Sequence, residues 1–219
     1  MPGAALTDLD RKVRAAALLL RVGGIVAYPT DTLYGLGVDA FNAAAVERVF
    51  LAKGRARDQG LPVLLADASQ LELVATNVSH QAMRLAEHFW PGALTIVLRR
   101  SPDLPAVVSG GAPTVAVRVP NHEVPVRLVR ELDSPITGTS ANKTGAADPV
   151  SVEEVEAQLG PWLDYIIDLG PAPQGEASTI VDMSNARPRI LREGAISTSA
   201  ILEALNSAAG GPPERRRVR

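Results

Sequence analysis

The chain has 219 residues, 46% hydrophobic and 21% charged, a globular composition whose length suits one α/β domain burying about 70% of its unfolded surface. A formal net charge of −2 argues against a whole-surface nucleic-acid footprint, and no uncharged apolar run reaches the roughly 18 residues of a spanning helix. There is no cysteine, which excludes thiolate metal centres, cysteine nucleophiles and disulfides, and His80, His88 and His122 lack metal-ligand spacing.

From the N-terminus, apolar positions at Val13, Ala16, Ala17 and Leu20, followed by Gly23-Gly24, predict a helix over 8–22 and then a strand over 25–28. Residues 28–39 read Tyr-Pro-Thr-Asp-Thr-Leu-Tyr-Gly-Leu-Gly-Val-Asp, too rich in hydroxyls to be core. Pro29 should end ladder pairing, Gly35 and Gly37 allow close backbone approach, and Thr30, Asp31, Thr32 and Tyr34 supply donors and acceptors. This is the floor of a site or, more plainly, a polar turn. Asn42 caps a helix to about Leu51. Lys53-Gly54-Arg55-Ala56-Arg57 then puts three cations on a loop, either a polyphosphate cradle or a solvated helix end, ahead of an apolar strand over 62–66.

Helices are expected over 68–75 and 79–89, with Trp90-Pro91-Gly92 as an aromatic corner. Strands follow over 94–98 and 114–119, the second aiming Arg118 at one face, then a helix over 123–131. A strand over 135–139 runs into Ser140-Ala141-Asn142-Lys143-Thr144-Gly145, a loop of small donors at a strand end that reads as a ligand loop or a capped turn. Ser151 with Glu154 matches a capping box for a helix to about 159. Strands over 165–168, 178–182 and 189–192 precede a helix over 198–206. Arg118 and Arg192, as buried strand charges, require anions, supplied by a ligand or by Asp and Glu. Helices alternate with strands early and strands cluster late, which predicts a mixed twisted sheet flanked by helices in one domain over 1–206. Residues 207–219, ending Arg215-Arg216-Arg217-Val218-Arg219, are expected to be a disordered basic tail. Gly35-Leu36-Gly37-Val38-Asp39-Ala40 meets the dinucleotide pattern only formally. No P-loop, nucleophile elbow or H-E-x-x-H pair occurs.

Seven stretches, in order, carry a resemblance: Tyr28 to Asp39, Lys53-Gly54-Arg55, Phe89 to Gly92 with Leu94-Thr95, Val115 to Pro120, Ser140-Ala141-Asn142, Ser178 to Asp182, and Ile190 to Ala195. Together they resemble the YrdC/Sua5 family of threonylcarbamoyl-AMP synthases over residues 23–195. The resemblance implies a YrdC-like α/β fold with a concave electropositive face. It implies an enzyme that condenses L-threonine, bicarbonate and ATP, with Mg²⁺ on the phosphates, into threonylcarbamoyl-AMP and pyrophosphate for t6A modification of tRNA. Lys53 and Arg55 would be the catalytic residues on the triphosphate, Ser140 and Asn142 would hold the nucleotide, and Thr114 and Arg192 would lie on its periphery. Thr32, Arg118, Gly138 and Ser178 would contact threonine, Arg118 through the carboxylate. The resemblance implies no protein-held metal. It makes RNA or tRNA and proteins of the t6A pathway candidate partners, with no membrane; the absence of an apolar leader makes a cytoplasmic location the expectation. The chain departs from the family pattern at Ala56, where proline is common, and at Asp67, near a histidine of longer relatives. An RNA-binding module without catalysis is the competing reading; steeply salt-dependent RNA affinity without ATP binding would mark it.

Overall fold

The structure, a computed structural model, describes residues 6–172 and 175–206. α1 (Asp8–Arg21) opens on a reciprocal cap, the Thr7 hydroxyl accepting from the Asp10 N–H and the Asp10 carboxylate from the Thr7 N–H, and buries Val13, Ala16, Ala17 and Leu20. Gly23, at φ +84°, turns the chain toward β1 (Val26–Pro29), which forms an antiparallel hairpin with β2 (Tyr34–Gly37). α2 (Ala43–Lys53) is capped by Asn42 and ends on left-handed Gly54, so Lys53 belongs to the helix and not to the loop after it. There follow β3 (Val63–Leu64), α3 (Leu71–Val74), β4 (Ala75–Thr76), α4 (His80–Phe89), β5 (Leu94–Arg100), β6 (Thr114–Arg118), α5 (Glu123–Leu132), β7 (Ile136–Thr137), β8 (Thr139–Ser140), α6 (Val152–Leu159), β9 (Tyr165–Ile166), β10 (Thr179–Asp182), β11 (Arg189–Arg192) and α7 (Thr198–Asn206).

The described strands divide between two mixed sheets, β8-β2-β1-β9 and β11-β10-β5-β6-β3-β7, with β4 beside the far end of β5. The strand expected over 135–139 is split between them: β7 pairs with β3, β8 pairs with β2, and Gly138 marks the crossing. There the Gly138 N–H donates to the Pro62 carbonyl at 2.8 Å, and the Leu64 side chain leaves no space for a Cβ. Beside the crossing, Thr137 N–H donates to the Val38 carbonyl and Asp39 bridges Ile136, which joins the sheets. Val13, Leu20, Val26, Tyr28, Leu128 and Ile136 form one core under α1 and α5; Val49, Phe50, Leu85, Ile96, Val117 and Leu159 belong to the larger one.

Four expectations change. The run 28–39 is largely core: Ala27, Tyr34 and Leu36 enter the larger core and Val26 and Tyr28 the smaller, so the hairpin is covered on both faces and only its turn stays polar. Pro29 stays in the ladder opposite Tyr34, whose carbonyl accepts from the Ala141 N–H and whose N–H donates to the Pro149 carbonyl, so the N–H that proline lacks is not missed. The helix expected over 68–75 is a 3₁₀ turn, Ala68–Gln70, then one turn of α3, with Ala75 passing into β4. Ser151 caps α6, yet the Glu154 carboxylate accepts from the Val150 N–H rather than from the cap residue. No described helix is long and apolar enough to cross a membrane. The expected tail, 207–219, lies outside the described residues.

Candidate active site

A cavity of about 630 Å³, the size of a small-molecule site, has the β1–β2 turn and β8 on one wall and β5, β6 and β10 on the other. Eight of the ten residues expected at the site line it: Thr32, Arg55, Thr114, Arg118, Gly138, Ser140, Ser178 and Arg192. They come from six separate stretches of the chain, which only the two-sheet crossing brings together. The lining also carries Asp31, Asp58 and Asp148, so three carboxylates face the same space as three guanidinium groups.

Each arginine is fixed from behind. The Arg55 Nε donates to the Gln59 carbonyl at 2.7 Å and its Nη2 to the Gly60 carbonyl at 3.0 Å. Arg192 donates from Nε and Nη2 to the Ser178 carbonyl at 3.1 and 2.7 Å, and from Nη2 to the Ser178 hydroxyl at 3.2 Å. Arg118 donates from Nε to the Gly92 carbonyl at 2.8 Å and from Nη2 to the Asp31 Oδ2 at 2.5 Å. The Trp90-Pro91-Gly92 corner therefore does more than pack: its last carbonyl aims Arg118, while the Trp90 indole N–H holds the Leu94 carbonyl. In all three guanidinium groups Nη1 makes no hydrogen bond to a described residue, leaving a directed donor whose position is already set. Burial pulls Arg55 and Arg118 down from the usual arginine range; Arg192 adds to the effect on Arg118 and Asp31 opposes it. Arg192 itself is exposed, not buried as expected, because β11 is an edge strand.

The hydroxyls are equally constrained. The Thr30 hydroxyl donates to the Leu33 carbonyl at 2.7 Å and accepts from the Thr32 and Leu33 N–H groups, which shapes the turn that presents Asp31 and Thr32. Ser178 shares a hydrogen bond of 2.9 Å with Thr95, a lining residue whose role the sequence did not mark beyond its motif. Thr179, buried next to it, accepts from the Gly194 and Ile196 N–H groups and so ties β10 to the segment after β11.

Lys53 and Asn142, expected on the nucleotide, do not line the cavity. Lys53 is 3% exposed and its ammonium donates to the Ser140 carbonyl at 2.5 Å, the Asn142 carbonyl at 2.7 Å and the Asn142 Oδ1 at 3.2 Å. Helix α2 ends on this residue, so its ammonium reaches under the 140–142 loop rather than out of it. Burial, then the charge of Arg55, pushes it down to about 8, with Asp148 opposing. Asn142 accepts from the Ser140 hydroxyl at 2.6 Å and donates to the Ala146 carbonyl and Asp148 Oδ1 at 2.8 and 3.1 Å. The pair is a brace behind Ser140. Among the described residues no group of three or more His, Asp or Glu could cage a metal.

A sequence model of the Sua5/YciO/YrdC family, described as "Telomere recombination", matches residues 18–194. A threonylcarbamoyl-AMP synthase of Pyrococcus abyssi is 41% identical over 190 residues, 87% of this chain and 56% of that protein. A putative threonylcarbamoyl-AMP synthase of Mycobacterium tuberculosis is 39% identical over 196 residues, covering 90% of each. The crystal structure of P. abyssi Sua5 complexed with L-threonine superposes with a TM-score of 0.86 at 38% identity, over 93% of this chain and 59% of that one. Escherichia coli YciO gives 0.78 at 26% identity, over 87% and 93%. The chain thus spans little more than half the length of the archaeal relative and nearly all of the mycobacterial one.

Proposed function

The chain belongs to the Sua5/YciO/YrdC family, and on that premise we propose that it condenses L-threonine, bicarbonate and ATP into threonylcarbamoyl-AMP and pyrophosphate. The observation that carries this reading is the convergence in one cavity of three arginines, each anchored to a backbone carbonyl and each presenting an unengaged Nη1. Arg55 and Arg192 would take phosphate oxygens, Arg118 the threonine carboxylate, and Thr32 and Ser178 the rest of the amino acid. Ser140, Thr114 and the Gly138 backbone would face the nucleotide, with Lys53 and Asn142 holding the 140–142 loop in place. The threonine nitrogen, its ammonium having released a proton to solvent, bonds to the bicarbonate carbon as a C–O bond breaks and water leaves, giving a carbamate. A carbamate oxygen then attacks the α-phosphorus in line, and the bond to the β-phosphate breaks as pyrophosphate leaves. This step needs alignment and charge neutralisation rather than a protein nucleophile, in keeping with a chain that has no cysteine. Mg²⁺ would arrive on the phosphates and neutralise charge there, with Asp58 and Asp148 the lining carboxylates able to hold its water shell.

The same premise makes t6A modification of tRNA the destination of the product, in the cytoplasm, with tRNA and other proteins of that pathway as partners. A non-catalytic RNA-binding module is the weaker reading, because a cavity of about 630 Å³ fits small substrates rather than a polynucleotide surface. The test is pyrophosphate release by the purified chain with ATP and Mg²⁺. Release that requires both threonine and bicarbonate is expected; release without threonine, or none at any bicarbonate concentration, would reject the reading.

A further inference from the structure

Asp31 and Arg118 form an ion pair inside the cavity, with side-chain exposures of 20% and 12%. The second carboxylate oxygen of Asp31, Oδ1, is buried and accepts no hydrogen bond from any described residue. A carboxylate with one oxygen on a guanidinium and the other unsatisfied is the weaker half of its own pair, and a buried Arg118 with no anion at all would be uncompensated. Resting on the reading above, we propose that Asp31 serves as an internal counter-ion that is exchanged on substrate binding. It occupies Arg118 in the empty cavity, yields it to the carboxylate of an incoming α-amino acid, and then accepts a hydrogen bond from that amino acid's ammonium. One ion pair becomes two and no net charge is added to the site, so the cavity selects a zwitterion over a simple carboxylate. The Thr30-organised turn supports this exchange, since it fixes the backbone on either side of Asp31 while leaving the side chain bonded to Arg118 alone.

Calorimetric titration of the full chain with L-threonine and with 3-hydroxybutanoate, which keeps the carboxylate and hydroxyl but lacks the amine, tests the exchange. Wild type should hold 3-hydroxybutanoate about 10- to 100-fold more weakly than threonine, because that ligand must displace Asp31 without offering it a cation. Asp31→Asn should weaken threonine by a similar factor while binding 3-hydroxybutanoate as well as wild type or better, a crossing of preferences that a merely structural role would not produce. Equal threonine binding by D31N, or loss of both ligands in step, would overturn the proposal. Should D31N fail to fold, equal affinity of wild type for the two ligands overturns it as well. Wild type that binds neither ligand would instead reject the amino-acid site itself.

Discussion

Replacing Lys53 with methionine separates two roles that its motif confuses. If the ammonium braces the 140–142 loop, Lys53→Met leaves the Ser140 and Asn142 carbonyls without a donor, at about 1–3 kcal/mol each. Removing a buried charge returns part of that loss, since desolvation is what lowers the Lys53 ammonium. The net expectation is about 2 kcal/mol less unfolding free energy, about 4–8 °C in melting temperature for a domain of this size. ATP affinity should fall with it, as Ser140 loses its support, while threonine affinity changes little. The pH dependence gives an independent check. A lysine whose folded value, about 8, lies below its free value of 10.5 penalises the fold fully below pH 8, and the penalty is relieved as pH rises toward 10.5, where only the unfolded chain still holds the proton. Wild type should therefore gain stability relative to K53M between pH 7.5 and 9.5. Urea melts at both pH values and calorimetry with each ligand measure all of this. A K53M protein as stable as wild type, with ATP binding abolished, would refute the brace and make Lys53 a direct phosphate contact.

Arg55→Ala removes a donor aimed into the cavity and should cost about 2–4 kcal/mol of transition-state stabilisation, roughly 30- to 1,000-fold in kcat/KM for ATP. A rate within threefold of wild type would deny it a phosphate role. Gly37→Ala would place a Cβ 2.7 Å from the Thr137 carbonyl and 2.9 Å from the Tyr28 ring, so a loss of about 1–3 kcal/mol is expected in urea melts, and an unchanged midpoint would contradict the close packing of the hairpin. The His122 Nδ1 accepts from the Val124 N–H at the start of α5, and burial lowers the imidazole from its ordinary value against the opposing charges of Asp31 and Glu123. Below about pH 6.5 the unfolded chain takes up a proton that the folded chain resists, so stability falls with pH. Wild type should lose stability relative to His122→Asn between pH 7 and 5; a constant difference would refute this.

Local chemistry explains why some of this was legible from residue types alone. The caps at Asn42 and Ser151 and the glycine stop at Gly23 act within one turn of chain, so the helices they bound lie close to their expected limits. Eight of the residues named from sequence line the cavity, and six of them, Thr32, Arg55, Arg118, Ser140, Ser178 and Arg192, fall within the seven ordered stretches. The two-sheet arrangement could not be read, because β7 and β8 are two-residue strands separated by one glycine, and pairing partners more than 70 residues away decide where each belongs. Residues 28–39 were legible as the floor of a cavity, which Tyr28, Thr30, Asp31, Thr32, Leu33 and Gly35 line, but not as core: hydroxyl content implies solvent only where neighbours are lacking, and here two cores cover the hairpin. For Lys53 the charge was legible but not its direction: its helix end sends the ammonium beneath a loop that is remote in the chain. Asp31 carried no motif-level sign of its bond to Arg118; the requirement that a strand arginine find an anion was the one available hint.

The proposal that the arginines converging in one cavity hold the substrate anions is tested most directly by coordinates of the chain with Mg²⁺, L-threonine and a non-hydrolysable ATP analogue. The phosphates are expected against Arg55 and Arg192, and the threonine carboxylate on Arg118 with Asp31 displaced. A nucleotide seated outside this cavity, or a threonine carboxylate bound elsewhere while Asp31 still holds Arg118, would contradict it.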